Sequence, residues 1–347
     1  MPKFMKLLVA AAAIIALGSG MAQARDQVKI VGSSTVYPFS SYVAEELGAT
    51  TKFKSPVVES TGSGGGHKLF GNGVGLNTPD ITNSSRRMKA SEFEKDQKVG
   101  ITEITEALIG YDGIAIAQNG ANAPFSITKA ELALAVMEMV PVGGKLVKNP
   151  YKTWDQINAK LPKRKILFYG PPTSSGTRDA FAEMVIGKFA KKHKDLYAPI
   201  SPKGKAKKYE SVRQDGVYVP AGENDNLIVQ KLTKDKAAFG IFGYSFLEEN
   251  SDRISGAKVD GVSPTPDTIA AGEYPISRSL YFYIKKAHLD KVPGMKEYVE
   301  LFMSEKMIGP RGLLKRIGLV PLANDLRKQV QKDVLSYKNL TLEDLKH

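Results

Sequence analysis

Residues 169–181 read Tyr-Gly-Pro-Pro-Thr-Ser-Ser-Gly-Thr-Arg-Asp-Ala-Phe. The stretch follows an apolar run, Lys165-Ile166-Leu167-Phe168, with the character of a strand. It leads into Asp179-Ala180-Phe181-Ala182-Glu183-Met184-Val185, with the character of a helix. Ser174, Ser175 and Thr177, with Gly176 and Arg178, thus fall where a loop turns into a helix. The first N–H groups of a helix have no partner within it, and the helix dipole adds partial positive charge there. An anion fits such a place. Gly176 lets the backbone come close to a ligand, and Arg178 can add a charge-assisted fork. An ordinary Ser/Thr helix cap would use the same residue types, so the choice rests on the remainder of the chain.

Three further segments repeat the arrangement. Gln27-Val28-Lys29-Ile30-Val31 alternates as a strand does, and Gly32-Ser33-Ser34-Thr35-Val36-Tyr37-Pro38 follows it before the helical spacing of Phe39 to Leu47. Pro56 to Ser60 reads as a second strand, followed by Thr61-Gly62-Ser63-Gly64-Gly65-Gly66-His67-Lys68-Leu69-Phe70. This glycine-rich turn is not a nucleotide P-loop, because His67 precedes Lys68 and Leu69 follows it, where that motif needs Gly and Ser or Thr. What remains is a Gly/Ser nest of N–H donors. The fourth cluster is Pro79-Asp80-Ile81-Thr82-Asn83-Ser84-Ser85-Arg86-Arg87-Met88.

Thr102 to Gln118 is long, apolar and rich in β-branched residues, a buried strand with the length to run from one lobe into another. Ser126 or Thr128 caps a helix expected to reach Met139, and Thr153 to Ile157 is a short helical turn in which Trp154 packs in a core or on a lobe surface. Lys188 to Lys208 reads as a solvated, lysine-rich segment. Asp225 to Leu232 is helical, and Ala237 to Tyr244 and Arg278 to Ile284 are strands. Helices over Pro293–Met303, Ile308–Arg316 and Asn324–Tyr337 close the chain. Strands alternating with helices imply an α/β fold with largely parallel sheets, whose ligands sit beyond the carboxyl ends of the strands. All four polar loops occupy that position, so one shared site accounts for them better than four separate caps.

Composition narrows the class. The chain has 347 residues, 42% hydrophobic and 24% charged, a length for two domains or one large one. Its formal net charge is +13, yet no basic helix, zinc pattern or RNA-binding aromatic motif goes with it, so nucleic acid is not the expected partner. Lys3 and Lys6 lead into an apolar core from Leu7 to Leu17, and Ala22-Gln23-Ala24 has the small-x-small form of a signal-peptidase site. A leader cut after Ala24, and export to a periplasm, are the expectation. The absence of cysteine excludes disulfides, cysteine nucleophiles and cysteine metal sites. The four histidines, His67, His193, His288 and His347, show no metal spacing, and His67 suits a surface position on its helix. Ser34, Ser63 and Ser175 have no adjacent base and no Gly-x-Ser-x-Gly elbow, so catalysis is not expected and no cofactor is implied.

The ordered set Gly32 to Pro38, Gly62 to Gly66, Ser84-Ser85-Arg86, Asp112-Gly113-Ile114-Ala115 and Ser174 to Arg178, supported by Thr153 to Ile157 and Tyr274-Pro275-Ile276-Ser277-Arg278, resembles the substrate-binding subunit of bacterial phosphate ABC transporters. The resemblance runs from about residue 26 to about residue 325, a span ordinary for two domains. It implies a two-lobed periplasmic-binding-protein fold with two chain crossovers between lobes. Residues 1–24 would be the signal peptide, 25–113 with 275–347 lobe one, and 114–274 lobe two. It implies a monomer that binds inorganic phosphate and delivers it to a membrane permease and its ATPase. Ser34, Thr35 and the Val36 N–H, Ser63 with Gly64, and Ser175, Gly176 and Thr177 would hold the anion. Two positions depart from well-known members. Pro171 stands where they have an arginine, and Ser85, followed by Arg86, stands where they have an aspartate. Arg86 and Arg178 are candidates for the missing cation, and Asp112 or Asp80 for the carboxylate that would tell a protonated anion from a fully ionised one. These departures keep open another oxyanion, such as sulfate, molybdate or an organophosphate. A secreted phosphatase on the same scaffold is a further alternative.

Overall fold

A computed structural model describes residues 25–173, 175–200, 211–222 and 225–346. The expected leader, Ser174 and residues 201–210 of the lysine-rich segment lie outside the described residues.

Along the chain run β1 (Lys29–Gly32), β2 (Val57–Ser60), β3 (Ile81–Ser84), β4 (Ile104–Asn119), β5 (Ser126–Ile127), β6 (Met139–Val142) and β7 (Lys145–Lys148). They are followed by β8 (Phe168–Gly170), β9 (Tyr218–Pro220), β10 (Phe239–Gly243), β11 (Ile254–Gly256), β12 (Lys258–Val259) and β13 (Ser277–Lys285). The main sheet has the order β2-β1-β3-β13-β4-β10-β8-β9, with β11 added on β4. β1, β2 and β3 are parallel to one another, as are β10, β8 and β9. Between these two parallel halves β13 and β4 run antiparallel. The expectation of a largely parallel sheet therefore holds for each half and fails at the centre. The strands that carry the chain out and back run in opposite senses and lie side by side.

β4 decides the architecture. Its 16 residues are almost all buried, and at about 3.3 Å per residue it spans roughly 50 Å. Ile104 to Gly113 pair with β13, whereas Ile114 to Gln118 pair with β10. The sheet changes partner between Gly113 and Ile114, where the Ile114 N–H also donates to the Ile276 carbonyl at 2.9 Å. Two cores lie on either side. Ile30, Val43, Leu47, Phe282, Tyr298 and Phe302 belong to one. The other is built on Trp154, whose ring meets Phe125, Phe168 and Phe239 at centroid distances of 5.2, 5.9 and 5.4 Å. Trp154 is fully buried and is a core residue. The molecule thus has two lobes joined through β4 and β13.

Local departures from the expected elements have local causes. Thr128 is the cap, accepting from the Glu131 N–H at 3.1 Å, but the helix runs only Lys129–Val136. Asn149 Nδ2 donates to Leu134 O and Met137 O, each at 2.7 Å, and closes the helix end. The chain then forms the β6–β7 hairpin, turned by Gly143 and Gly144, both at positive φ. The helix from Gly176 passes through a π-helical segment, Ala182–Gly187, before Lys188–Lys192. The lysine-rich stretch is helical over Lys188–Lys192 and Lys194–Tyr197, anchored by buried Phe189, Ala190 and Tyr197. The expected helix at 308–316 is instead Glu305–Ile308 followed by a 3₁₀ turn, Leu313–Ile317, because Gly309-Pro310 interrupts it.

Candidate functional site: a polar cleft between the lobes

The carboxyl ends of β1, β2, β3 and β8 point to one place, and the loops that follow them enclose a cavity of about 840 Å³. Ser33, Ser34 and Thr35 line it from the first loop, Gly62, Ser63 and Gly64 from the second, and Ser85, Arg86 and Lys89 from the third. The second lobe contributes Thr173, Arg178, Asp179 and Glu183, with Glu138, Ser211 and Gln214 at the far side. Three helices begin here: Tyr37–Thr50, Ser63–Phe70 and the helical run from Gly176. A helix leaves its first N–H groups without partners inside it, although at Tyr37–Thr50 the Tyr37 N–H is taken by the Ser33 carbonyl at 3.0 Å.

The first loop is shaped by Ser33. Its Oγ accepts from the Thr35 N–H at 3.2 Å and from the Val36 N–H at 3.4 Å. The Val36 N–H, expected to face the anion, is thus turned to Ser33, and Val36 is fully buried. In the second loop the Ser63 Oγ lies 3.1 Å from the Ser85 Oγ and accepts from the Ser85 N–H at 3.0 Å, which ties the second loop to the third. Gly66 is needed for packing rather than for ligand approach. A Cβ there would stand 2.5 Å from Gly32 Cα and 2.5 Å from Thr82 Oγ1. His67 is not on the surface: it is 4% exposed, with Nε2 3.2 Å from Ser84 Oγ and its ring 5.3 Å from that of Tyr283. Burial holds its imidazole down at about 4.

The two candidate cations differ. Arg86 lines the cavity, but its guanidinium forks onto Glu92 at 2.8 and 2.6 Å, and that hydrogen bond raises its pKa further. Its charge is compensated within its own lobe. Arg178 donates to the Pro171 carbonyl at 3.1 Å and stacks over the Tyr218 ring at 4.1 Å. A carbonyl and a π face leave its positive charge in place. Ser175, Gly176 and Thr177 open the helix beside the cavity rather than lining it, and a Cβ on Gly176 would meet the Ser34 carbonyl at 2.8 Å. There the loops of the two lobes touch.

Neither proposed carboxylate lines the cavity. Asp80 precedes β3 and so sits at the opposite end of the sheet. It is fully buried, accepts from the Lys29 N–H at 2.7 Å and from His288 Nδ1 at 2.6 Å, and pairs with Arg25. It fixes the base of the first lobe. Asp112, on β4, is buried beneath Arg278, its Oδ2 3.4 Å from Arg278 Nε. Burial raises its pKa and Arg278 partly offsets the rise.

Arg278, Asp179 and Glu183 are, with Lys89 and Glu138, charged lining residues to which the motifs give no binding role. In sequence, Arg278 starts a return strand and ends a stretch that supports the resemblance, without a binding role. Its guanidinium reaches Thr35 Oγ1, Asp112 and, at 3.0 Å, Glu183 Oε2. Asp179 and Glu183 are four residues apart, a spacing that places both on one helix face, and this was the available signal. Burial raises the Asp179 pKa, against Arg178 and Arg278, which lower it; Glu183 adds to the rise. Among the described residues no group of three or more His, Cys, Asp or Glu is placed to hold a metal, and no helix is long and apolar enough to cross a membrane.

Comparison with known proteins gives a consistent result. The sequence model of the PBP superfamily domain matches residues 18–306. Protein SphX from Synechococcus elongatus is 30% identical over 298 residues, 84% of this chain and 76% of that protein. The phosphate-binding protein PstS from Staphylococcus saprophyticus is 30% identical over 286 residues, 81% of this chain and 76% of that one. The crystal structure of a possible phosphate binding protein from Planctomyces limnophilus superposes with a TM-score of 0.72 at 28% identity, covering 91% of this chain and 100% of that one. An ABC-type phosphate transport receptor from Vibrio cholerae, 18% identical with a TM-score of 0.53 over 91% of this chain and 100% of that one, shares the fold. The chain belongs to the PBP superfamily and, within it, to the family that contains PstS and SphX.

Proposed function

We propose that this protein binds inorganic phosphate in the cleft between its lobes and delivers it to the permease and ATPase of an ABC transporter. The observation that carries the proposal is the convergence of Ser34, Thr35, Ser63, Gly64, Ser85 and Arg178 on one cavity at the starts of three helices. A compact anion there meets hydroxyl groups, the starts of helices and a guanidinium together. Charge-assisted hydrogen bonds of this kind offset the cost of taking an ion out of water.

The lobes proposed are residues 25–113 with 275–347 and residues 114–274. The change of β4's partner after Gly113, and the return through Ile276 into β13, support these boundaries. A hinge at this crossing would let the lobes close on the ligand. The protein would act as a monomer in the periplasm, reached through the leader expected to be cut after Ala24, and without catalysis. The Ser63 hydroxyl contacts the hydroxyl and the N–H of Ser85, neither of which is a base that could activate it.

The test is Arg178→Ala. Losing one charged hydrogen-bond partner costs about 1.5–3 kcal/mol, so phosphate affinity should fall roughly ten- to hundredfold by calorimetric titration. Wild-type affinity in the variant would remove Arg178 from the site.

A further inference from the structure

Arg278 stands where the hinge, the cleft and both lobes meet. It lies on β13 opposite Asp112 in the β4 register, at the last pairs before β4 changes partner. Its side chain is 12% exposed and lines the cavity. The contacts around it are unequal. Asp112 is buried and fixed in a strand, and its oxygen lies 3.4 Å from Nε, at the long end for a charged hydrogen bond. Glu183 is 57% exposed, comes from the other lobe and makes the shorter contact, 3.0 Å. Two carboxylates therefore share one guanidinium. An anion entering the cavity would meet a cation already engaged by both.

We propose, on the reading that the cleft binds phosphate, that Arg278 is a ligand-binding cation and that Glu183 is a built-in competitor which phosphate displaces. A carboxylate and a phosphate present the same kind of acceptor oxygens to a guanidinium. The exposed, long side chain of Glu183 can leave, whereas Asp112 stays to hold Arg278 in place. Arg278 also donates to Thr35 Oγ1, so the Thr35 hydroxyl hydrogen is left to donate to a ligand. Exchange of Glu183 for phosphate then joins anion capture to the breaking of an ion pair between lobe two and the hinge strand.

Calorimetric titration of the full mature protein, freed of carried-over ligand, with inorganic phosphate tests this. Glu183→Gln removes the competitor at an exposed position and should bind phosphate about three- to tenfold more tightly at low salt, with the gain shrinking as salt screens the pair. Arg278→Gln, checked for wild-type thermal unfolding, should bind at least about thirtyfold more weakly. Unchanged or weakened binding in Glu183→Gln overturns the proposal, even where Arg278→Gln fails to fold because Asp112 has lost its partner. Absence of phosphate binding by the wild-type protein would instead overturn the phosphate reading itself, and this proposal with it.

Discussion

Asp179 lines the cavity between two arginines, and Ser85 occupies the position where the family resemblance implies an aspartate. A carboxylate in a binding cleft accepts a hydrogen bond from an anion that carries a proton and repels one that does not. Asp179 is therefore the group through which this chain would tell phosphate from sulfate. In Asp179→Asn, phosphate affinity should change by less than about tenfold while sulfate binding rises at least about tenfold. Competition titrations at pH 7 would show it. Sulfate excluded as firmly as in the wild-type protein would assign the discrimination elsewhere.

Asp96 bears on stability. It is 2% exposed, and its Oδ1 lies 2.5 Å from where a Cβ on Gly71 would stand, against the carbonyl end of the helix Ser63–Phe70. Burial pushes its carboxyl up to about 7, against the pull of Lys285. The folded value lies above the unfolded one, so the fold holds the proton between about pH 4 and pH 7. The cost in stability therefore grows as pH rises from about 4 to about 7, is full above pH 7, and is gone below about pH 4. Asp96→Asn should stabilise the protein at pH 8 by up to about 4 kcal/mol and change little near pH 4. Equal effects at both pH values, measured by urea unfolding, would sink the assignment.

Among the elements, the loop between β8 and the helix from Gly176 is where the lobes touch, so it offers a probe of closure. A Cβ on Gly176 would stand 2.8 Å from the Ser34 carbonyl in the other lobe, a contact that opening of the lobes would relieve. Gly176→Ala should weaken phosphate binding about tenfold or more while the ligand-free protein unfolds as the wild type does. A lowered unfolding temperature without ligand would contradict that reading. The strands and their polar loops were legible because each element announces itself locally: β-branched runs, then Ser, Thr and Gly, then helical spacing. The β6–β7 hairpin escaped because Met139 to Val142 continue the apolar spacing of the preceding helix. Gly143-Gly144 was the signal available. The places of His67, Asp80 and Arg278 were not legible, because burial and pairing across some 200 residues of sequence leave no local trace. The Asp80–His288 contact is such a pairing.

At the scale of the whole molecule, one strand of 16 residues belongs to both lobes, and β13 returns beside it. Bending at their shared crossing would move one binding half against the other while each core stays packed. The net charge of +13 would raise the encounter rate with anions, within the roughly 8 Å over which physiological salt leaves charges visible. Whether the cleft takes inorganic phosphate is decided by calorimetric titration of the mature protein, unfolded to release any bound ligand and refolded, with phosphate and then with sulfate from pH 5 to 8.5. One phosphate should bind per chain, with sulfate failing to compete across that range. No heat from phosphate, or one-to-one binding of sulfate as tight as that of phosphate, would overturn the phosphate reading.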